Sequence, residues 1–222
     1  MSSHPLRPLQ PPVSIRPSYL PSQETTLYLL PKASPRCATD YTINNAINGK
    51  AVFTVTGKKY GSTPGREFRD ESGLPIFKLT RGAVLSRWPW RITLPGDKEK
   101  DLGRVCVRNP SMRIKLHIVQ NCVTGDRKRE DEMVRLEVRR TTTLYMFDVL
   151  VEDGDNEEKR KVADIRESVE RYKTVGHWPG GYDHVPPKRV LDMKVAEGLD
   201  LSIAALVAVF ISDMHFGDQL ES

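Results

Sequence analysis

The stretch that decides the fold is LDLSIAALVAVFISDMHF, Leu199 to Phe216. Between Leu199 and Ile211 eleven of thirteen residues are apolar, and only Asp200 and Ser202 break the run. A surface helix keeps a polar face. This one is apolar all round, so it needs apolar surroundings on every side. A bilayer span takes about 20 such residues, and the run ends sooner, at Ser212 and Asp213. A buried core helix is therefore the better reading. Asp200 is placed to cap the first turn and to meet the positive end of the helix dipole, and Gly217 can stop the helix. Ala204 and Ala208 form a small-residue stripe that lets neighbouring backbone come close. Sixteen residues at 1.5 Å each span roughly 24 Å, about the height of a small barrel. The expected core positions are Leu201, Ala204, Ala205, Ala208 and Phe210.

What surrounds the helix is legible upstream as short strands punctuated by turns. Asn48-Gly49 predicts a type I′ hairpin turn, which needs positive φ at both positions, and Ala51 to Thr56 follows it as a strand. Arg66 to Arg69 and Ile76 to Leu79 flank a turn at Asp70-Glu71-Ser72-Gly73. Trp90 to Leu94 stops at Pro95-Gly96. Val105 to Val107, Ile114 to Val119, Met133 to Arg139 and Thr143 to Val151 continue the series, and Val190 to Val195 precedes the helix. Strands at this spacing predict a sandwich or barrel. Glu157 to Lys173 is open: Val162, Ile165, Val169 and Tyr172 fall at helical spacing, and a short strand from Val162 to Ile165 competes.

At 222 residues the chain can bury one full core. Met1 to Leu20 holds no continuous apolar segment, so no signal peptide is expected. Cys37, Cys106 and Cys122 are odd in number and widely spaced, which argues against a disulfide framework and suits a reducing compartment. Cytoplasmic localisation is expected, with a nuclear or peripheral membrane location as the variants. Eight of the sixteen prolines lie in the first 35 residues, so residues 1–38 read as a proline-rich disordered arm and residues 39–222 as the domain. Its PxxP spacing (Pro5 and Pro8, Pro8 and Pro11) could recruit a protein partner.

Four motifs in order resemble the LURP-one-related family, within the Tubby C-terminal-like superfamily that also holds the phospholipid scramblases. They are NGKAVFTVTG (Asn48 to Gly57), FRDESGLPIFKLTR (Phe68 to Arg81), SRWPWRITLPG (Ser86 to Gly96) and GLDLSIAALVAVFISD (Gly198 to Asp213). The resemblance covers Thr39 to Gly217. It implies a closed antiparallel barrel of about twelve strands around a hydrophobic C-terminal helix, and it favours the strand reading of Val162 to Ile165. The proline-rich arm and the charged segments Asp97 to Asp101 and Glu152 to Lys161 depart from the family pattern. The scramblases' acidic calcium segment and cysteine-rich run are not recognisable, so scramblase activity is not implied.

Charge directs the search for a site. The first 140 residues carry 25 basic and 13 acidic side chains, the last 82 carry 9 and 16. A basic front can steer the protein to an anionic surface. Arg104, Arg108, Arg113 and Lys115, then Arg127, Lys128 and Arg129, are the candidate head-group ligands, with Arg139 and Arg140 beyond them. Arginine and lysine suit phosphate through charge-assisted hydrogen bonds, and some Tubby-type relatives bind phosphoinositides through such residues. The expectation is a non-enzymatic, monomeric module that binds anionic phospholipid peripherally and needs no cofactor. The rival is a protein-interaction scaffold recruited through the proline-rich arm. Nucleic-acid binding is disfavoured, because no helix-turn-helix, zinc finger or RNP motif is present. No GxSxG, HExxH, Walker or GxGxxG pattern points to catalysis. His177, Asp183 and His184 share a loop but make a weak metal signal, and Asp153, Asp155 and Glu157 lack the rest of a calcium loop.

Overall fold

Alternating apolar and polar residues bury one face of a strand and leave the other to solvent. The alternating runs form twelve strands in the computed structural model, which describes residues 5–32, 40–58, 65–82, 89–108, 113–119, 133–141, 145–152, 159–171 and 189–216. They are β1 (Thr25–Pro31), β2 (Tyr41–Asn45), β3 (Ala51–Lys58), β4 (Gly65–Asp70), β5 (Pro75–Arg81) and β6 (Trp90–Leu94). Then follow β7 (Asp97–Arg108), β8 (Arg113–Val119), β9 (Met133–Arg140), β10 (Met146–Glu152), β11 (Lys159–Glu167) and β12 (Leu191–Val195), and helix α1 (Leu201–Phe216) closes the series. Each strand is antiparallel to its neighbours in sequence, and β1 pairs with β12 to close the barrel. Closure leaves no edge strand to pair with another chain.

The helix fills the lumen. Every residue from Ser202 to Ser212 is buried, so the apolar run is surrounded by the inward side chains of the strands. Of the expected core positions, Ala204, Ala205, Ala208 and Phe210 are buried, while Leu201 in the first turn is half-buried. Phe210 meets the Trp90 ring edge-on at 5.6 Å. No described helix is long and apolar enough to cross a membrane.

Polar groups hold both ends of the helix. At its start Asp200 is fully buried. One carboxylate oxygen accepts the Ser202 backbone N–H at 2.8 Å, and the other accepts the N–H groups of Ile15 and Arg16 at 2.9 Å each. Burial pushes this carboxyl's pKa up, against the pull of those three hydrogen bonds. At the far end Asp213 accepts from Arg66 (Nε 3.0 Å, Nη2 2.7 Å) and from the Tyr41 hydroxyl at 2.6 Å. Burial, then the Asp213 carboxylate, push the Tyr41 hydroxyl well above its ordinary pKa.

Two expectations are corrected, and one open choice is decided. The barrel starts at Thr25, not at residue 39, and residues 5–24 are described as part of the fold. Leu9, Val13 and Ile15 are buried, and Val13 forms a parallel bridge with Leu199. The Leu9 N–H donates to the Glu197 carbonyl and the Val13 N–H to that of Gly198. Prolines do bar an α-helix here, and one 3-10 turn forms at Pro17–Tyr19; spaced apolar anchors and backbone bonds to residues 197–200 order the rest of the segment. Gly198 lies under it with φ +84°, and a Cβ there would meet the Leu9 carbonyl oxygen at 2.4 Å. The second correction concerns the β2–β3 connection. Gly49 has φ +68° but Asn48 does not have positive φ, so this is not a type I′ turn. It is a longer turn closed by the Gly49 N–H on the Asn45 carbonyl. The open choice over residues 157–173 falls to the strand that the resemblance favoured, β11 at Lys159–Glu167. The extra residue Val162 sits at a bulge opposite Val149 and Leu150, so Val162 and Ala163 are both buried. Val169, which helical spacing assigned to the apolar face, is exposed.

Candidate functional site

The outer face of β6 to β9 gathers basic side chains that are far apart in sequence. On β8 Ile114, Leu116 and Ile118 are buried, so Lys115 and His117 leave on the opposite, outer face. Register then fixes their neighbours. Arg91 on β6 lies opposite Arg104 on β7, Arg104 opposite His117, and His117 opposite Arg135 on β9. Directly opposed residues of an antiparallel pair project from the same face with Cβ atoms about 5 Å apart. The result is a row of three arginines and one histidine across four strands. The side chains of Arg91, Arg104 and Arg135 are 43%, 53% and 65% exposed.

Few acids face this row among the described residues. Asp101 bonds the Arg91 guanidinium at 2.6 Å and Arg104 at 3.2 Å, and Glu152 stands 4.0 Å from Arg135. The outer face of β9 to β12 is different, because nearly every cation there has an acid in contact. Arg139 and Lys159 hold Glu137, Lys159 also holds Glu152, Lys161 bridges Asp148 and Asp164, and Lys194 bonds Glu24. Glu137 is almost fully covered. Burial would raise its pKa, but the hydrogen bonds from Arg139 and Lys159 outweigh that and hold it at about 2.

Of the candidate head-group ligands, Arg104 lies in the row and Lys115 beside it on the same face, opposite Cys106 and Glu137. Arg108 and Arg113 are paired with each other across β7 and β8 by their backbone. Arg127, Lys128 and Arg129 lie outside the described residues, as do the loop histidines His177 and His184 with Asp183, the acids Asp153, Asp155 and Glu157, and Gly217. Arg139 is committed to Glu137, and Arg140 stacks over Tyr145 at 5.2 Å. Among the described residues no group of three or more His, Cys, Asp or Glu side chains is placed to hold a metal.

Clustering of basic residues along the chain missed Arg91, His117 and Arg135. His117 was readable, since it follows Lys115 by two residues on one strand and so shares its face. Arg91 and Arg135 enter only through cross-strand register.

A closed twelve-stranded antiparallel barrel threaded by its own C-terminal helix, with charge borne on the outer wall, defines a Tubby-like barrel. The family model for LURP-one-related proteins matches residues 25–212, and the chain belongs to that family. The match begins at the first residue of β1 and ends inside α1. A crystal structure of a protein from Arabidopsis thaliana is similar in fold, with a TM-score of 0.54 at 17% identity, covering 90% of this chain and 97% of that one. A comparison with curated proteins finds no match.

Proposed function

We propose that the barrel is a non-enzymatic binding module that takes anionic phospholipid head groups, phosphoinositides in particular, on the outer face of β6 to β9. It works as a monomer at the periphery of a cytoplasmic membrane surface. The observation that supports this reading is the alignment of Arg91, Arg104 and Arg135. Cross-strand register sets them side by side and 43% to 65% exposed, with two acids, Asp101 and Glu152, in contact with the three of them among the described residues. Guanidinium groups make charge-assisted, bidentate bonds to phosphate, and each basic residue near an anionic surface contributes about 1 kcal/mol.

Co-sedimentation with phosphoinositide-containing vesicles tests it. The triple variant Arg91→Glu, Arg104→Glu, Arg135→Glu is expected to stay in the supernatant, and wild-type pelleting is expected to fall as salt rises. Equal pelleting of both proteins would remove the site. Recruitment through the proline-rich segment is a less favoured reading, because residues 9–16 are bonded into the fold. Deleting residues 1–35 would take β1 out of the barrel and so would not isolate that segment's role.

A further inference from the structure

Beyond the basic wall and independent of it, we infer that the end of the barrel at which α1 begins is a binding site for an extended peptide. Residues 5–22 occupy it in cis, and its exchange ligand is a partner protein's segment of the same residue spacing. The ring closes without residues 5–22, because β1 begins at Thr25 and pairs with β12. The segment therefore lies across the mouth of the barrel and not in its wall. It enters beside β1 and β11, where the Leu6 N–H donates to Glu24 at 2.7 Å and Arg160 donates to the Pro8 carbonyl at 3.4 Å. It passes over Glu197 to Asp200 and reaches β5, where the Arg16 guanidinium donates to the Ile76 carbonyl at 3.0 Å. The Tyr19 ring then meets Phe53 on β3 edge-on at 5.1 Å.

Extended peptides are recognised by main-chain hydrogen bonds, which give affinity, and by pockets for selected side chains, which give specificity. The mouth supplies both. The Leu9 and Val13 N–H groups donate to the carbonyls of Glu197 and Gly198, and the Val13 carbonyl accepts the Asp200 N–H at 3.0 Å. The next two free N–H groups, of Ile15 and Arg16, converge on one oxygen of the buried Asp200 carboxylate. Leu9, Val13 and Ile15 are buried, while Pro8, Gln10, Pro11 and Pro12 are exposed. The site thus reads apolar residues at the spacing of Leu9, Val13 and Ile15, followed by a guanidinium. Proline is excluded at the last two positions, which must each donate an N–H, and is suited to the exposed ones, where its fixed φ lowers the entropy lost on ordering. A short tether holds the cis segment at an effective concentration of about millimolar. The intact chain is therefore closed to weaker ligands and opens when the tether is cut.

The full chain with a sequence-specific protease site inserted between Ser22 and Gln23, both exposed, tests the inference. After cleavage the protein is diluted and mixed with a fluorescein-labelled synthetic peptide of residues 5–22, and anisotropy reads binding. The cleaved chain is expected to exchange its own fragment for the labelled peptide and to keep a cooperative melt. The uncut chain should bind the same peptide about a hundredfold more weakly. A peptide N-methylated at Ile15 lacks one donor to Asp200 and should bind the cleaved chain about tenfold more weakly, the factor for one hydrogen bond to a charged group. A peptide carrying Val13→Asp should show no binding. Loss of the melt on cleavage, with peptide in excess, makes the segment an integral part of the fold and overturns the site. A cleaved chain that stays folded and takes up no labelled peptide overturns it too. Equal binding to cut and uncut chains, or of all three peptides, overturns recognition at the mouth. Dimers of the uncut chain that the peptide dissolves would assign the mouth to a second copy and overturn the partner segment.

Discussion

Replacing Asp200 by Ala strikes the point where the two ends of the chain are joined. The carboxylate accepts three backbone N–H groups, from Ile15, Arg16 and Ser202, in a fully buried setting. Alanine leaves those donors without an acceptor. A buried donor stripped of its partner costs about 1–3 kcal/mol, and loss of an N-cap costs about 1 kcal/mol. Part of this is offset, because burial makes the ionised carboxyl itself expensive, as its raised pKa indicates. The net loss is therefore about 3 kcal/mol. For a domain of this size that corresponds to a fall in Tm of about 6–12 °C. Asp200→Asn keeps one side-chain oxygen and should lose about half as much. Thermal melts give the magnitude, and amide hydrogen exchange over residues 13–16 gives the location. Exchange in that segment should rise more than in β5 or β8. A variant that melts within 2 °C of wild type with unchanged exchange at Ile15 and Arg16 would refute the reasoning. It would mean that the apolar anchors Leu9, Val13 and Ile15 and the backbone bonds to residues 197–200 hold the segment without the carboxylate.

Two further outcomes concern charge placed well and charge placed badly. Glu137 has its pKa depressed to about 2 in the fold against an ordinary 4.5, so its contribution is present above about pH 4.5 and is lost as pH falls through 2. That contribution is about 3 kcal/mol by linkage. Urea unfolding across pH 2 to 5 should show this loss in wild type and not in Glu137→Gln, and identical slopes would uncouple the carboxylate from stability. Ala205→Asp puts a carboxylate at a fully buried position inside the helix-filled lumen, where desolvation is costly. It should abolish cooperative folding, and a sharp melt near the wild-type temperature would rule out the buried position.

The helix and the barrel were legible because their signals are local. Thirteen residues with only two polar ones exclude a surface helix, and period-2 runs such as Ile114 to Ile118 declare which face is inside. The N-terminal segment was not legible, because its prolines dominate the composition and its bonds reach far along the chain. Ile15 finds Asp200 across 185 residues, and Leu9 packs over a glycine that only Gly198's left-handed backbone makes possible. Helix and strand could not be separated over Val162 to Tyr172 by periodicity for a related reason. A bulge that buries two successive residues breaks the strand period, and the strand shows only once β10 is beside it. The same limit applies to the basic wall. Runs of Arg and Lys in the chain suggested a positive surface, but which arginines stand together depends on register. Register placed Arg91, Arg104 and Arg135 in line and sent Arg139 to Glu137.

The ring is sealed by its first strand against its last, and the helix that supports it from within comes later still. During synthesis, therefore, no part of this barrel can reach its final state until residues 191–216 have emerged. β1 waits for β12, and all twelve strands wait for residues 201–216 before their inner faces have anything to pack on. Such non-local closure makes folding slow and leaves apolar strands open to aggregation in the interval. A ribosome stalled short of Leu191 would present a sheet that cannot close, and one stalled between Val195 and Ile211 a ring without its full core, so the length of chain translated acts as a threshold for this domain.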